Sequence, residues 1–178
     1  MTFSQDINAP FASTTTTAAI NDNGVIAGFD TLGAVTQAFT DTSGRFKFFD
    51  VPGSSFTQFL GINDGGWAVG DFVDSAGNMD GLLYNTRNGK WFELNDPNGN
   101  GTMTVINGIN DNNQLVGFYL DAAGNTNGFL ATDPAISAPE LSTWALTALG
   151  FCCLGFAAAR SPRHRAALVK RRPALPAV

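Results

Sequence analysis

One ten-residue motif occurs three times in this chain. Ile20-Asn21-Asp22-Asn23-Gly24-Val25-Ile26-Ala27-Gly28-Phe29 returns as Ile62-Asn63-Asp64-Gly65-Gly66-Trp67-Ala68-Val69-Gly70-Asp71. It returns again as Ile109-Asn110-Asp111-Asn112-Asn113-Gln114-Leu115-Val116-Gly117-Phe118. The isoleucines stand 42 and 47 residues apart. Self-similarity at such a period means one supersecondary unit that buries its apolar face only against its neighbours. Other landmarks keep the same phase. Ala38-Phe39, Gly81-Leu82 and Gly128-Phe129 follow the last glycine of each motif by ten or eleven residues, and Pro10, Pro52 and Pro97 precede each isoleucine by ten to twelve.

Each unit reads as four short strands, in the first unit residues 25–29, 36–40, 45–51 and 55–61. The Asn-Asp-x-Gly stretches are tight turns, because Asn, Asp and Gly accept the positive φ that hairpins need. Asp74-Ser75-Ala76-Gly77-Asn78 and Asp121-Ala122-Ala123-Gly124-Asn125 form a second turn class. The prolines end strands, since they donate nothing to a ladder. Twenty glycines, 15 phenylalanines and only 14% charged residues fit many short strands joined by turns, not a helical bundle or a disordered chain. The fold class expected is all-β.

Residues 3–134 resemble the propeller-like extracellular repeats built on Ile-Asn-Asp-x-Gly-x-Ile-x-Gly. The resemblance implies β-propeller-like repeats of four-stranded antiparallel units, here three of them. Propellers typically have about 4–8 blades. Three units therefore leave a compact single domain as the expectation, with a homodimer as the alternative and a longer array as a third arrangement. The N-terminal strands are expected to complete the last blade.

Charge divides the chain. From Asp6 to Glu140 there are 15 acidic and four basic side chains, a net charge of −11, whereas six basic residues and no acid follow from Arg160. An acidic body repels phosphates and excludes a nucleic-acid partner. Residues 141–159 carry no charge, and about 20 such residues cross a bilayer as a helix. Arg160, Arg163, Arg165, Lys170, Arg171 and Arg172 follow at once and stay cytoplasmic by the positive-inside rule. Four segments are thus expected: a repeat-built β domain at 1–134, a linker with a motif at 135–140, a transmembrane helix at 141–159, and a basic tail at 160–178.

The residues entering the apolar run are Pro139-Glu140-Leu141-Ser142-Thr143-Trp144-Ala145. With the helix and the Arg-rich end, Pro139, Glu140, Ser142, Thr143 and Trp144 resemble the PEP-CTERM sorting signal of Gram-negative envelope proteins. Leu141 stands where that family has its second proline. The resemblance implies recognition by an exosortase and transfer to the cell envelope or beyond, often in bacteria that make exopolysaccharide. The start, Met1-Thr2-Phe3-Ser4-Gln5-Asp6, lacks the basic n-region and apolar core of a signal peptide. A truncated or misassigned start is the expectation there.

Catalytic chemistry is poorly supplied. The only histidine, His164, lies in the basic end, and the only cysteines, Cys152 and Cys153, lie in the apolar run. The body therefore holds no Ser-His-Asp or Cys-His pair, no His-ligated zinc site and no disulfide framework. Glu93 is its only glutamate before the sorting motif. No enzyme, metal or cofactor is expected.

The recurring pairs Asn21-Asp22, Asn63-Asp64 and Asn110-Asp111 are the candidate binding residues, for a cation or a glycan at one end of the array. Plain turn chemistry accounts for the same residues. Asn95-Asp96-Pro97-Asn98-Gly99-Asn100-Gly101 superficially resembles a calcium loop, yet one carboxylate falls short of the 6–8 oxygen ligands, roughly, that calcium takes. Phe46, Phe48, Phe49, Trp91 and Phe92 read as core between units. Exposed, Trp67, Trp91 or Tyr119 would stack on a sugar ring. The function expected is an exported, non-enzymatic surface or matrix module for adhesion or glycan binding. The alternative is a carbohydrate-active enzyme with carboxylates clustered at the repeat axis.

Overall fold

The computed structural model describes residues 5–132 and Ile136. Eleven strands occupy this stretch: β1 (Thr14–Ile20), β2 (Ile26–Leu32), β3 (Val35–Thr42), β4 (Arg45–Phe49), β5 (Thr57–Ile62), β6 (Trp67–Val73), β7 (Met79–Asn85), β8 (Trp91–Glu93), β9 (Thr104–Ile109), β10 (Gln114–Leu120) and β11 (Thr126–Thr132). They form three antiparallel meanders, ordered β1-β2-β3-β4, β5-β6-β7-β8 and β9-β10-β11. The all-β class and three antiparallel units hold, but the third unit has three strands rather than the expected four among the described residues. A closed propeller ring is not formed among the described residues. β5 packs against β1 on one side and β9 on the other, and among the described residues the first and third sheets share no packed face.

The sheets also correct the phase of the unit. The segment read as a fourth strand, residues 55–61, opens the second sheet as β5 rather than closing the first. The motif isoleucine ends the first strand of a sheet, its Asn-Asp turn is the first hairpin, and the motif's second half is the second strand. Among the described residues no N-terminal strand joins the third sheet, and β11 pairs only with β10. The sorting motif, the apolar run and the basic tail (residues 139–178) lie outside the described residues. Among the described residues no helix is long and apolar enough to cross a membrane.

The motif's second glycine has a steric cause. In each first strand one residue is bulged out of register, namely Ala18, Leu60 and Asn107, each two residues before the motif isoleucine. The bulge drives a carbonyl over the neighbouring strand. A Cβ on Gly28 would collide with the Thr16 oxygen, one on Gly70 with the Gln58 oxygen, and one on Gly117 with the Val105 oxygen. The residues across from these glycines are Phe39, Leu82 and Phe129. Phe39 and Phe129 lay their rings over the bare backbone of their partner glycine.

Two core clusters lie between units, while Phe39 is buried within the first unit, on Gly28 and beside Phe46 and Phe48. Ala27 and Ala38 of the first sheet pack with Phe59, Ile62, Ala68, Phe72 and Leu82 of the second. Val69 and Leu83 of the second pack with Ile106 and Leu115 of the third, and Ile136 joins this cluster. A sheet with one solvated face must bury the other, and here each sheet covers the next.

Candidate functional site

The three Asn-Asp turns do come together. Ile20, Asn21, Asp22, Ile62, Asn63, Asp64, Ile109, Asn110 and Asp111 line one shallow depression at one end of the stack. The asparagine side chains and the Asp64 and Asp111 carboxylates are engaged in the fold. The Asn21 Oδ1 accepts the Val25 N–H at 2.9 Å, the Asn63 Oδ1 that of Trp67 at 2.9 Å, and the Asn110 Oδ1 that of Gln114 at 2.9 Å. Each side chain thus closes its own turn.

The same residues staple the units. Asn21 Nδ2 donates to the Asn63 carbonyl at 3.0 Å, and Asn63 Nδ2 donates to the Asn110 carbonyl at 3.1 Å. The Asp22 N–H donates to Asp64 Oδ1 at 2.9 Å, and the Asp64 N–H donates to Asp111 Oδ1 at 2.8 Å. Asn113 takes the place of Gly24 and Gly66 at positive φ, which Asn tolerates best among side-chain-bearing residues. Its side chain accepts from Asn63 and donates to the Ile136 carbonyl. Turn chemistry therefore explains these six residues. No set of three carboxylate, His or Cys side chains converges as a metal site among the described residues.

The 95–101 stretch is likewise a turn. Asp96 Oδ1 accepts the Asn98 N–H, and Asn100 Oδ1 accepts the N–H and hydroxyl of Thr102. The second turn class is built on aspartate acceptors. Asp74 Oδ1 accepts the N–H groups of Ala76 and Asn78, and Asp121 does the same for Ala123 and Asn125. The backbone N–H of Asn78 holds the Asp74 carboxyl below its ordinary range, and that of Asn125 does so for Asp121.

A second depression was not legible as a site in the sequence. The turn Pro52-Gly53-Ser54 between β4 and β5, Phe72 near the end of β6, Asp74 and Ser75 of the turn that follows, and the β8 residues Trp91 and Glu93 line one cleft. Trp91 is 37% exposed rather than buried between units, because β8 is a three-residue edge strand with solvent on one side. Its ring stands edge-to-face on Phe72, centroids 5.9 Å apart, so a rigid core residue fixes its orientation. Of the other candidate stacking residues, Trp67 is half-buried against Phe92, and Tyr119 is half-buried in β10.

Glu93 is tied through its near neighbour Asn95 to a carboxylate on the adjacent strand. The Asn95 amide donates to Glu93 Oε1 at 2.9 Å and to Asp80 Oδ1 at 2.8 Å, tying the two carboxylates to one side chain. Partial burial, then the charges of Asp80 and Asp74, push the Glu93 carboxyl above its ordinary range. The pairing β7-β8 places these residues on adjacent strands. Only the tertiary register brings them within reach.

Fold and site define a repeat protein of stacked antiparallel meanders with an acidic, tryptophan-bearing cleft. Comparison with protein-family models, with curated proteins and with solved structures yields no match for this chain.

Proposed function

We propose that the chain is an exported cell-surface or matrix protein whose repeat body binds polysaccharide, without hydrolysing it, at the Trp91 cleft. The observation that carries this reading is the Trp91 ring, partly exposed yet fixed by Phe72 beside carboxylates. An indole offers a flat apolar face to the C–H side of a sugar, and carboxylates accept from its hydroxyls. An acidic lining favours a neutral glycan over an anionic one. The resemblance of residues 139–165 to an exosortase-sorted signal supports the envelope location and the membrane and exosortase as transient partners.

The test is affinity electrophoresis of the protein through neutral exopolysaccharide. Retardation lost in Trp91→Ala, with melting unchanged, is the expected result. Equal retardation of the variant and the parent would sink the cleft as the site.

A second reading, a carbohydrate-active enzyme, draws on the raised Glu93 carboxyl beside Asp80, since glycoside hydrolysis uses paired carboxyls. Release of reducing ends that Glu93→Gln abolishes would favour it. Of the carboxylates at the repeat turns, Asp64 and Asp111 are committed to backbone N–H groups and give that reading no support.

A further inference from the structure

The staple between units is a ladder with a direction. Each Asn amide donates forward to the next unit's Asn carbonyl, and each Asp N–H donates forward to the next unit's Asp carboxylate. The ladder has two rungs and two open ends. At the head, the Asp22 carboxylate has no hydrogen-bond partner among the described residues, although Asp64 accepts from the Asp22 N–H and the Asn23 amide, and Asp111 accepts from the Asp64 N–H. At the tail, the Asp111 N–H makes no hydrogen bond among the described residues. The Asn110 amide there falls back on the Gln114 side chain of its own turn, at 2.8 Å.

The apolar faces end in the same places. Val69 and Leu83, across from each other in the second sheet, are 0% exposed because the third unit covers them. Their counterparts in the third sheet, Val116 and Leu130, are also across from each other and are 47% and 68% exposed. On the other side, Ile62 is 7% exposed against the first unit, whereas its counterpart Ile20 is 66% exposed. The tail face therefore presents the residues that receive a motif isoleucine, and the head face presents the isoleucine.

We infer that a second copy of this chain docks head-to-tail, its Ile20 entering against Val116 and Leu130. In this arrangement the Asp111 N–H donates to the second copy's Asp22 carboxylate, and the Asn110 amide donates to its Asn21 carbonyl. The interface repeats one that the chain already makes twice, so it is continuous with an established contact. A head-to-tail contact is heterologous and ends in a ring only if the rotation closes. Two copies of three units give six, within the range of roughly 4–8 at which propeller rings close. The two-copy ring has two identical interfaces.

The experiment is native mass spectrometry and sedimentation velocity of the full chain in detergent, with two variants. Ile20→Glu blocks the head and Leu130→Glu blocks the tail. Both side chains are solvated in the single copy, so its thermal melting serves as a check that each variant folds. The parent is expected as a dimer and each variant alone as a monomer. An equimolar mixture of the two variants is expected to dimerise again, since one intact head and one intact tail remain, with at least ten-fold weaker affinity than the parent. Asp22→Ala, which removes no hydrogen bond seen within the chain, is expected to weaken the dimer. A monomeric parent, a dimer indifferent to both substitutions, variants that fail to rescue each other, or species larger than two copies would overturn the inference.

Discussion

At the scale of single residues, the glycine that ends each motif is governed by a neighbour's backbone rather than by its own φ. Gly70 lies under the Gln58 carbonyl, and no rotamer change relieves a clash with main chain. Gly70→Ala is expected to cost about 3 kcal/mol, the upper range for overpacking, read as a drop in the urea midpoint. Gly24→Ala meets no atom and is limited to the strain of its positive φ. Asp71 is a different case. Burial pushes its carboxyl up to about 7, and its Oδ2 has no hydrogen-bond partner. An unfolded Asp ionises near pH 4, roughly, so between that pH and about 7 the folded chain binds the extra proton. Stability therefore falls as pH rises through this window, and the penalty is complete above it. Asp71→Asn is expected to stabilise the body by a few kcal/mol, on the order of the linkage for such a shift, at pH 8, and to change little at pH 4. Melting curves at the two pH values decide this. A gain equal at both pH values would refute the charge as cause.

At the scale of elements, the turns act as joints between sheets. Asn63 is buried and, besides the Gly66 N–H of its turn, serves four partners: the Trp67 N–H, the next unit's Asn110 carbonyl, the Asn113 side chain, and the incoming Asn21 amide at its carbonyl. Asn63→Ala keeps the last and removes the other three, leaving the Trp67 N–H without its side-chain acceptor. A loss of about 2–3 kcal/mol is expected, as for buried groups left unsatisfied. Asn110→Ala, on an exposed turn with no unit beyond it, is expected to cost less than half of that. Equal losses in denaturant titrations would mean that the inter-unit bond contributes nothing beyond the turn itself. The joint was legible only in part. Three Asn-Asp turns follow from their residue types, but that each Asn spends its oxygen locally and its nitrogen on the next unit depends on sheet stacking. The strand phase shows the same limit. Residues 55–61 are readable as a strand, yet that they pair with β6 rather than with β4 is a matter of sheet order, which has no local pattern.

At the scale of the whole molecule, the two parts of the chain differ in charge and composition. The body from Gln5 to Thr132 stands on two inter-unit clusters, and the segment after Pro139 carries the apolar run and the basic end. On the proposed sorting reading, protein recovered from its native host ends near Pro139 to Leu141 when exosortase is present and runs to Val178 when it is absent. Mass spectrometry of the C-terminus measures this. An intact end in both cases would mean that Leu141 has abolished processing.

The sequence by itself determined the period, the all-β class, the turn positions and the charge split, because these depend on residues within one hairpin or on simple addition along the chain. It also carried the reason for doubting a metal at the Asn-Asp turns, since those residue types close turns unaided. Only the tertiary structure decided which strand opens a sheet, that Asp64 and Asp111 hold the preceding unit, and that Trp91 stands beside Glu93 and over Phe72 in a cleft. Those outcomes turn on register and on faces meeting across many tens of residues. Val69 and Val116, or Ile62 and Ile20, occupy the same motif position. Neighbouring units bury one member of each pair and leave the other in solvent.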